Sequence, residues 1–251
     1  MNTSLTDLMN RASQALLERD YLTTESLCEQ ARDLARSSEA WDDYARILMP
    51  LQECRRMRRT IAAEGWLLIG THDRDALLDD LASQGPPPGP KPFTHPGKQP
   101  GEICAAQIVV TAPLTPDDTR IIWETCRQRR LWVELLLAGG SGPSRVARSW
   151  GDNNLTAEIP APPGDIPIDT WIEPRHKHAV TGSTWFQAAC ETLGNAALTA
   201  LNTPPATPAS LDQIAQAVDA IPDHELLHQR LYEYARLLQR THTTSDSKTT
   251  T

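Results

Sequence analysis

Residues 103–138 hold a strand pattern, a helix pattern and a second strand pattern in direct succession, and this order constrains the fold more than any other part of the chain. Ala105–Thr111 is a run of β-forming residues, AAQIVVT. Thr115-Pro116-Asp117-Asp118 then starts a helix. Threonine serves as N-cap, proline takes the first helical position where no donor is needed, and two carboxylates face the positive end of the helix dipole. Ile121, Ile122, Trp123 and Cys126 form the apolar face, and Arg127, Arg129 and Arg130 suit the C-terminal end. Leu131–Leu137, LWVELLL, is the second strand. Two strands joined through a helix predict parallel pairing with a right-handed crossover. The expected fold is therefore mixed α and β, with a small central α/β unit.

Helical patterns flank this unit on both sides. Ser4 and Asp7 form a capping signature, followed by Leu5, Leu8, Met9, Ala12, Ala15 and Leu16 on one helical face. A second helix is predicted from Thr23–Thr24, presenting Leu27, Cys28, Ala31 and Leu34. A third follows Ser37-Ser38 with Trp41, Tyr44, Ala45 and Leu48, and Pro50 is expected to kink or restart it. Gly65 reads as a C-cap. Trp66–Ile69 reads as a strand and Arg74–Leu81 as a short helix. Val146/Arg148/Trp150 and Leu155/Ala157/Ile159 alternate about Gly151–Asn154 as a β-hairpin. Thr184 with Gln187 and Ser210 with Gln213 read as helix starts, and a last helix spans about 223–240. Seven prolines between Pro86 and Pro100 bias that stretch to polyproline II, so it reads as a semi-rigid linker. The expected organisation is 1–65 helical, 66–202 α/β with a proline-rich linker at 85–101, 203–240 a helical pair, and 241–251 a disordered tail.

Ala15-Leu16-Leu17, then Asp20-Tyr21 at a turn, then Cys28 and Ala31 resemble a degenerate tetratricopeptide-type helical hairpin. The resemblance covers about 60 residues, roughly one and a half of its ~34-residue units. Thr24 stands where that repeat has a small apolar residue, no proline closes the second helix, and a generic antiparallel bundle has the same pattern. Trp185-Phe186 to Leu193-Gly194 and Pro222–Leu231 resemble parts of uncharacterised bacterial proteins with such an N-terminus, a likeness that carries no activity. The repeat-like region implies a non-enzymatic adaptor, its hairpins presenting a groove to a protein or peptide.

Charge and cysteine usage narrow the partners. With 32 acidic against 24 basic residues the net charge is −8, which argues against nucleic acid, whose phosphates demand a basic patch. Only four lysines occur, an arginine bias read as bacterial. Five scattered cysteines without a CxxC read as buried thiols of a reducing compartment. The opening MNTSLTDLMN lacks a basic and an apolar leader region, and no apolar run approaches the ~20 residues of a membrane span. The expectation is a cytoplasmic protein.

One motif suggests metal chemistry. His224-Glu225-Leu226-Leu227-His228 is an HExxH, which on a helix sets two imidazoles one turn apart to bind zinc while the glutamate activates water. Pro222 puts it in a first helical turn, Asp223 and Arg230 charge its flanks, Glu233 cannot swing back, and His242 lies in the expected tail. No third ligand is therefore in sight, and neither a metal nor another cofactor is expected. A zinc hydrolase using His224, Glu225 and His228 is the alternative to the adaptor. A second alternative is a small-ligand or nucleotide site at the C-terminal edge of the central sheet, near Gly139-Gly140-Ser141-Gly142. That segment matches neither GxGxxG, Walker A nor GxSxG. His176 and His178 read as strand neighbours beside Glu173, and Arg55-Arg56-Met57-Arg58-Arg59 as a charged helix face able to touch phosphate or an acidic partner.

Overall fold

The structure is a computed structural model and describes residues 4–83, 105–140, 143–149, 155–201, 205–221 and 223–246. Among these the chain runs α1 (Leu5–Leu17), α2 (Tyr21–Ser37), α3 (Trp41–Ala63), β1 (Trp66–Thr71), α4 (Arg74–Ser83), β2 (Ala105–Val110), α5 (Pro116–Gln128), β3 (Trp132–Gly139), β4 (Ser144–Arg148), β5 (Thr156–Pro160), β6 (Trp171–Ile172), α6 (Lys177–Ala200), α7 (Pro208–Ala220) and α8 (Glu225–Asp246). The mixed α and β layout read from the sequence is the layout of the molecule. Two compact units form, one from 1–57 with 198–251, the other from 58–197. The dividing points fall inside α3 and α6.

The unit of residues 58–197 is built on a six-stranded sheet in the order β5-β4-β3-β2-β1-β6. β2 and β3 pair in parallel with Ile108 opposite Leu135, as the strand–helix–strand reading predicts. β1 joins β2 in parallel as well, so α4 and α5 cap two successive crossovers. β4, β5 and β6 pair antiparallel. All of β1 and β2 is buried, which explains why they read as continuous apolar runs without alternation. On one sheet face Leu68, Ile108 and Leu135 pack with Leu77 of α4 and Ile122 of α5. Leu67 and Ile69 lie on the opposite face, under α6. There Gly182 brings the helix close, since a Cβ at that position would land on the Leu67 side chain. Gly65 has a similar task. It follows α3 with its N–H donating to the Ala62 carbonyl, and a Cβ there would land on the Ala105 carbonyl, so close approach of β2 is what requires glycine. Arg58 bonds Glu134 of β3 at 2.7 Å, with its guanidinium 4.4 Å from the Trp123 ring centre.

In the unit of residues 1–57 and 198–251, α1 and α2 pack as a hairpin. Ser4 caps α1 by accepting from the Asp7 N–H at 3.1 Å, as read from the sequence. α2 starts at Tyr21, ahead of the expected Thr23–Thr24, because Asp20 accepts from the Thr23 N–H. Pro50 sits inside an uninterrupted α3. Tyr44, Ala45, Leu48 and Leu51 are buried to either side of it, and that burial outweighs the ~3 kcal/mol an interior proline costs. α2 and α7 run antiparallel, because Arg32 bonds Asp219 while Arg36 bonds Asp212. Arg55 of α3 reaches Glu25 and Glu29 on α2 and both Asp219 and the Val218 carbonyl on α7. Burial pushes the Asp219 carboxyl up, but Arg32 and Arg55 outweigh it and hold it well below the usual carboxylate range.

Boundaries of the last three helices also differ from the sequence reading. α6 starts at Lys177, seven residues before Thr184, after the turn through Pro174 and Arg175. α7 is capped by Thr207 with Pro208 inside its first turn, and Ser210 is the third residue that closes the capping box. α8 continues to Asp246, so part of the expected tail is helical. The proline-rich linker at 85–101, the turn Gly151–Asn154, Cys104, Trp150 and Pro222 lie outside the described residues.

Candidate functional site

The three parallel strands end side by side, and open α/β sheets place ligands at that carboxyl edge. A cleft of about 280 Å³ lies there, within the unit of residues 58–197. Ile69 and Gly70 of β1, Val109 at the end of β2, Thr111 just beyond it, and Ala138 and Gly139 of β3 form its floor. Pro162 and Ile168 from the segment after β5, Trp185 of α6 and Arg145 of β4 form the walls. Its floor is the sheet face turned away from α4 and α5, because Ile69 and Val109 alternate with the core residues Leu68, Ile108 and Val110.

Local structure fixes each lining group. Gly70 has φ +93°, and a Cβ on it would collide with the Ile168 side chain, so glycine lets Ile168 sit over the mouth. The Asp169 N–H donates to the Ile69 carbonyl at 2.6 Å and anchors that segment to β1. The Asp169 carboxylate lies 3.6 Å from His72 Nδ1. The Thr111 hydroxyl donates to the Gly70 and Thr71 carbonyls, and the Trp185 indole N–H donates to the Pro160 carbonyl at 2.9 Å. Arg145 is half-buried, and its Nη1 donates to the Ser144 carbonyl at 3.4 Å. It shares a strand face with Ala147, which pairs with Ala138 of the floor. Among the described residues nothing lies within 4 Å of a Cβ position at Gly139, and at Gly140, with φ +104°, the nearest atoms are 3.9 Å away.

The residues singled out by sequence are distributed as follows. His224 precedes α8 and its Nδ1 accepts from the Leu227 N–H at 3.3 Å, so it caps the helix. His224 and His228 are each 2% exposed, whereas Glu225 is exposed. The base and the two imidazoles thus do not share a surface. Among the described residues no group of three His, Cys, Asp or Glu side chains gathers to hold a metal, and this donor set does not fit zinc. Gly139 and Gly140 line the cleft, while Ser141 and Gly142 lie outside the described residues. His176 and His178 are not strand neighbours: they sit at the start of α6, with His176 Nδ1 accepting from the His178 N–H. Arg55 and Arg58 are buried in ion pairs and do not form an exposed basic face. Arg145, Ile168 and Trp185 escaped the sequence reading. Arg145 was legible in principle, since hairpin alternation sets it opposite Val146. Ile168 and Trp185 reach the cleft only through tertiary packing.

No helix among the described residues is long and apolar enough to cross a membrane. No family model, curated protein or solved structure matches the chain, so the site stands on its own geometry.

Proposed function

We propose that this protein binds a small molecule in the cleft at the carboxyl edge of its parallel strands. The observation that carries this reading is the cleft itself: apolar walls around a few polar groups, at the place where α/β sheets take ligands. Its volume of about 280 Å³ is at the low end for ligand sites and favours a compact ligand over a dinucleotide. A fragment screen followed by amide NMR tests it. Hits are expected to move the Gly70, Gly139 and Gly140 signals and to be lost in Ala138→Leu, whose longer side chain fills the floor. Hits that ignore Ala138→Leu, or that leave those glycines unmoved, would remove the reading.

The adaptor function implied by the repeat-like N-terminus is a second proposal, supported by Leu226 and Leu237, which are exposed three turns apart along α8. A stoichiometric partner that binds wild type and loses affinity for Leu226→Asp/Leu237→Asp is the expected result. Equal capture by both proteins would count against it.

A further inference from the structure

We infer that the ligand of this cleft is a compact, uncharged, apolar molecule the size of a single ring, held by contact with Ile69, Val109, Ile168 and Trp185 and not by an ion pair. The inference rests on the cleft being a ligand site and adds the polarity and size of what enters.

The side chains of the lining decide the polarity. Ile69, Val109, Ala138, Pro162 and Ile168 offer hydrocarbon. The polar side chains beside them already serve the protein. The Thr111 hydroxyl donates to the Gly70 and Thr71 carbonyls, and the Trp185 indole N–H donates to the Pro160 carbonyl. Arg145 is engaged as well, its Nη1 donating to the Ser144 carbonyl. Among the described lining residues there is no carboxylate. A charged ligand would therefore leave water for groups that have partners of their own, and taking a charge out of water is costly unless a counter-ion meets it. An apolar ligand gives up no hydrogen bond and gains contact on entering.

Ile168 supplies a second observation. It lines the cleft, yet it is 62% exposed. Gly70 makes room for its side chain, and the bond from the Asp169 N–H to the Ile69 carbonyl anchors its segment. An isoleucine held in water beside an apolar floor is surface that an apolar ligand would bury. The volume of about 280 Å³ sets the size, since an apolar cavity of about 150 Å³ already takes benzene.

The test titrates the full chain with four aromatic probes of similar size: toluene, benzyl alcohol, benzoate and benzamidinium. Amide NMR signals of Gly70, Gly139 and Gly140 are followed in wild type and in Ile168→Ala, a change to a largely exposed side chain. Toluene is expected to bind at least about tenfold more tightly than either ion, with benzyl alcohol between. Ile168→Ala should weaken toluene about fivefold, because part of the apolar contact is removed. Should that variant not fold, calorimetry on wild type decides in its place: toluene binding with a negative heat-capacity change marks burial of apolar surface, and a change of zero would overturn the inference. Benzoate or benzamidinium binding as tightly as toluene, or toluene binding indifferent to a folded Ile168→Ala, would overturn it too and leave the cleft reading standing. Failure of all four probes to move any cleft amide would remove both.

Discussion

Both units have an apolar core, but they differ in how much buried charge joins their elements. The unit of residues 58–197 closes on hydrocarbon: Leu68, Ile108, Leu135, Leu77 and Ile122 meet across sheet and helices. In the other unit, α2, α3 and α7 meet through charges, with Arg55 and Glu25 each only 2% exposed. Apolar contact is non-directional and tolerates substitutions of similar volume, whereas a buried guanidinium needs its carboxylates in place. A bundle whose helices come from distant parts of the chain gains register from that demand, since Arg32 with Asp219 and Arg36 with Asp212 fit in one alignment.

The largest effect is expected where the contrast is sharpest. Arg55→Ala leaves Glu25 buried without its counter-ion and should destabilise the unit of residues 1–57 and 198–251 by about 3–5 kcal/mol. Urea denaturation monitored on both units should show this one melting early while the sheet unit keeps its midpoint. A loss below ~1 kcal/mol would mean that water reaches Glu25. Next comes Ile122→Ala in α5, which is fully buried and should cost about 3 kcal/mol. That cost should not change between low and high salt, and salt dependence would contradict an apolar origin. Gly182→Ala should cost about 1–3 kcal/mol by pressing on Leu67, and restoring stability with Leu67→Val would locate the strain.

Acid should separate the units more gently. The Asp219 carboxyl titrates lower in the folded chain than in the unfolded one, whose value is about 3.9. Its contribution is whole above that value and is lost as the pH falls through the lower folded value. Stability measured from pH 6 downward should fall less steeply in Asp219→Asn than in wild type, and identical slopes would show that the carboxyl is not held down. Smallest of all is the native reactivity of the thiols. Burial pushes Cys28 up to about 12, Cys126 up to about 12, and Cys54 higher still. At pH 8 none of the three should react with an alkylating reagent until its unit opens. Labelling Cys28 and Cys54 against Cys126 therefore reads the two units separately, and fast labelling in the native protein would contradict their burial.

Much of the sheet unit was legible in the sequence because its signals are local. Thr115-Pro116-Asp117-Asp118 announces α5 within four residues, and the structure has the capping box there. The same threonine–proline signal stands at Thr207-Pro208, and Ser210, which by itself reads as a helix start, is the third helical residue of that box. His176 and His178 sit at a helix start and not on a strand, and a spacing of two residues, shared by both, does not tell the two apart. The ion-pair network was hidden for a different reason. Glu25, Arg32 and Arg55 look like ordinary polar positions of amphipathic helices, and their partners, Arg55 for Glu25 and Asp219 for the two arginines, lie far along the chain. For the site, Gly139 and Gly140 could be flagged by their place after a strand, but Ile168 and Trp185 come from elements that no local rule brings to it.

The bond from Arg55 to Asp219 spans 164 residues, and this carries a consequence for synthesis. A ribosome adding ~5–20 residues per second takes on the order of ten seconds to travel from one to the other. Within that interval Glu25 and Glu29 are already present to meet Arg55, and the whole of 58–197 has been made, while the carboxylate shared by Arg32 and Arg55 has not. Translation thus imposes an order in which the whole sheet unit is made before α7 and α8 can complete the other unit. A nascent chain stalled after residue 197 is expected to shield Cys126 from alkylation while Cys28 and Cys54 still react.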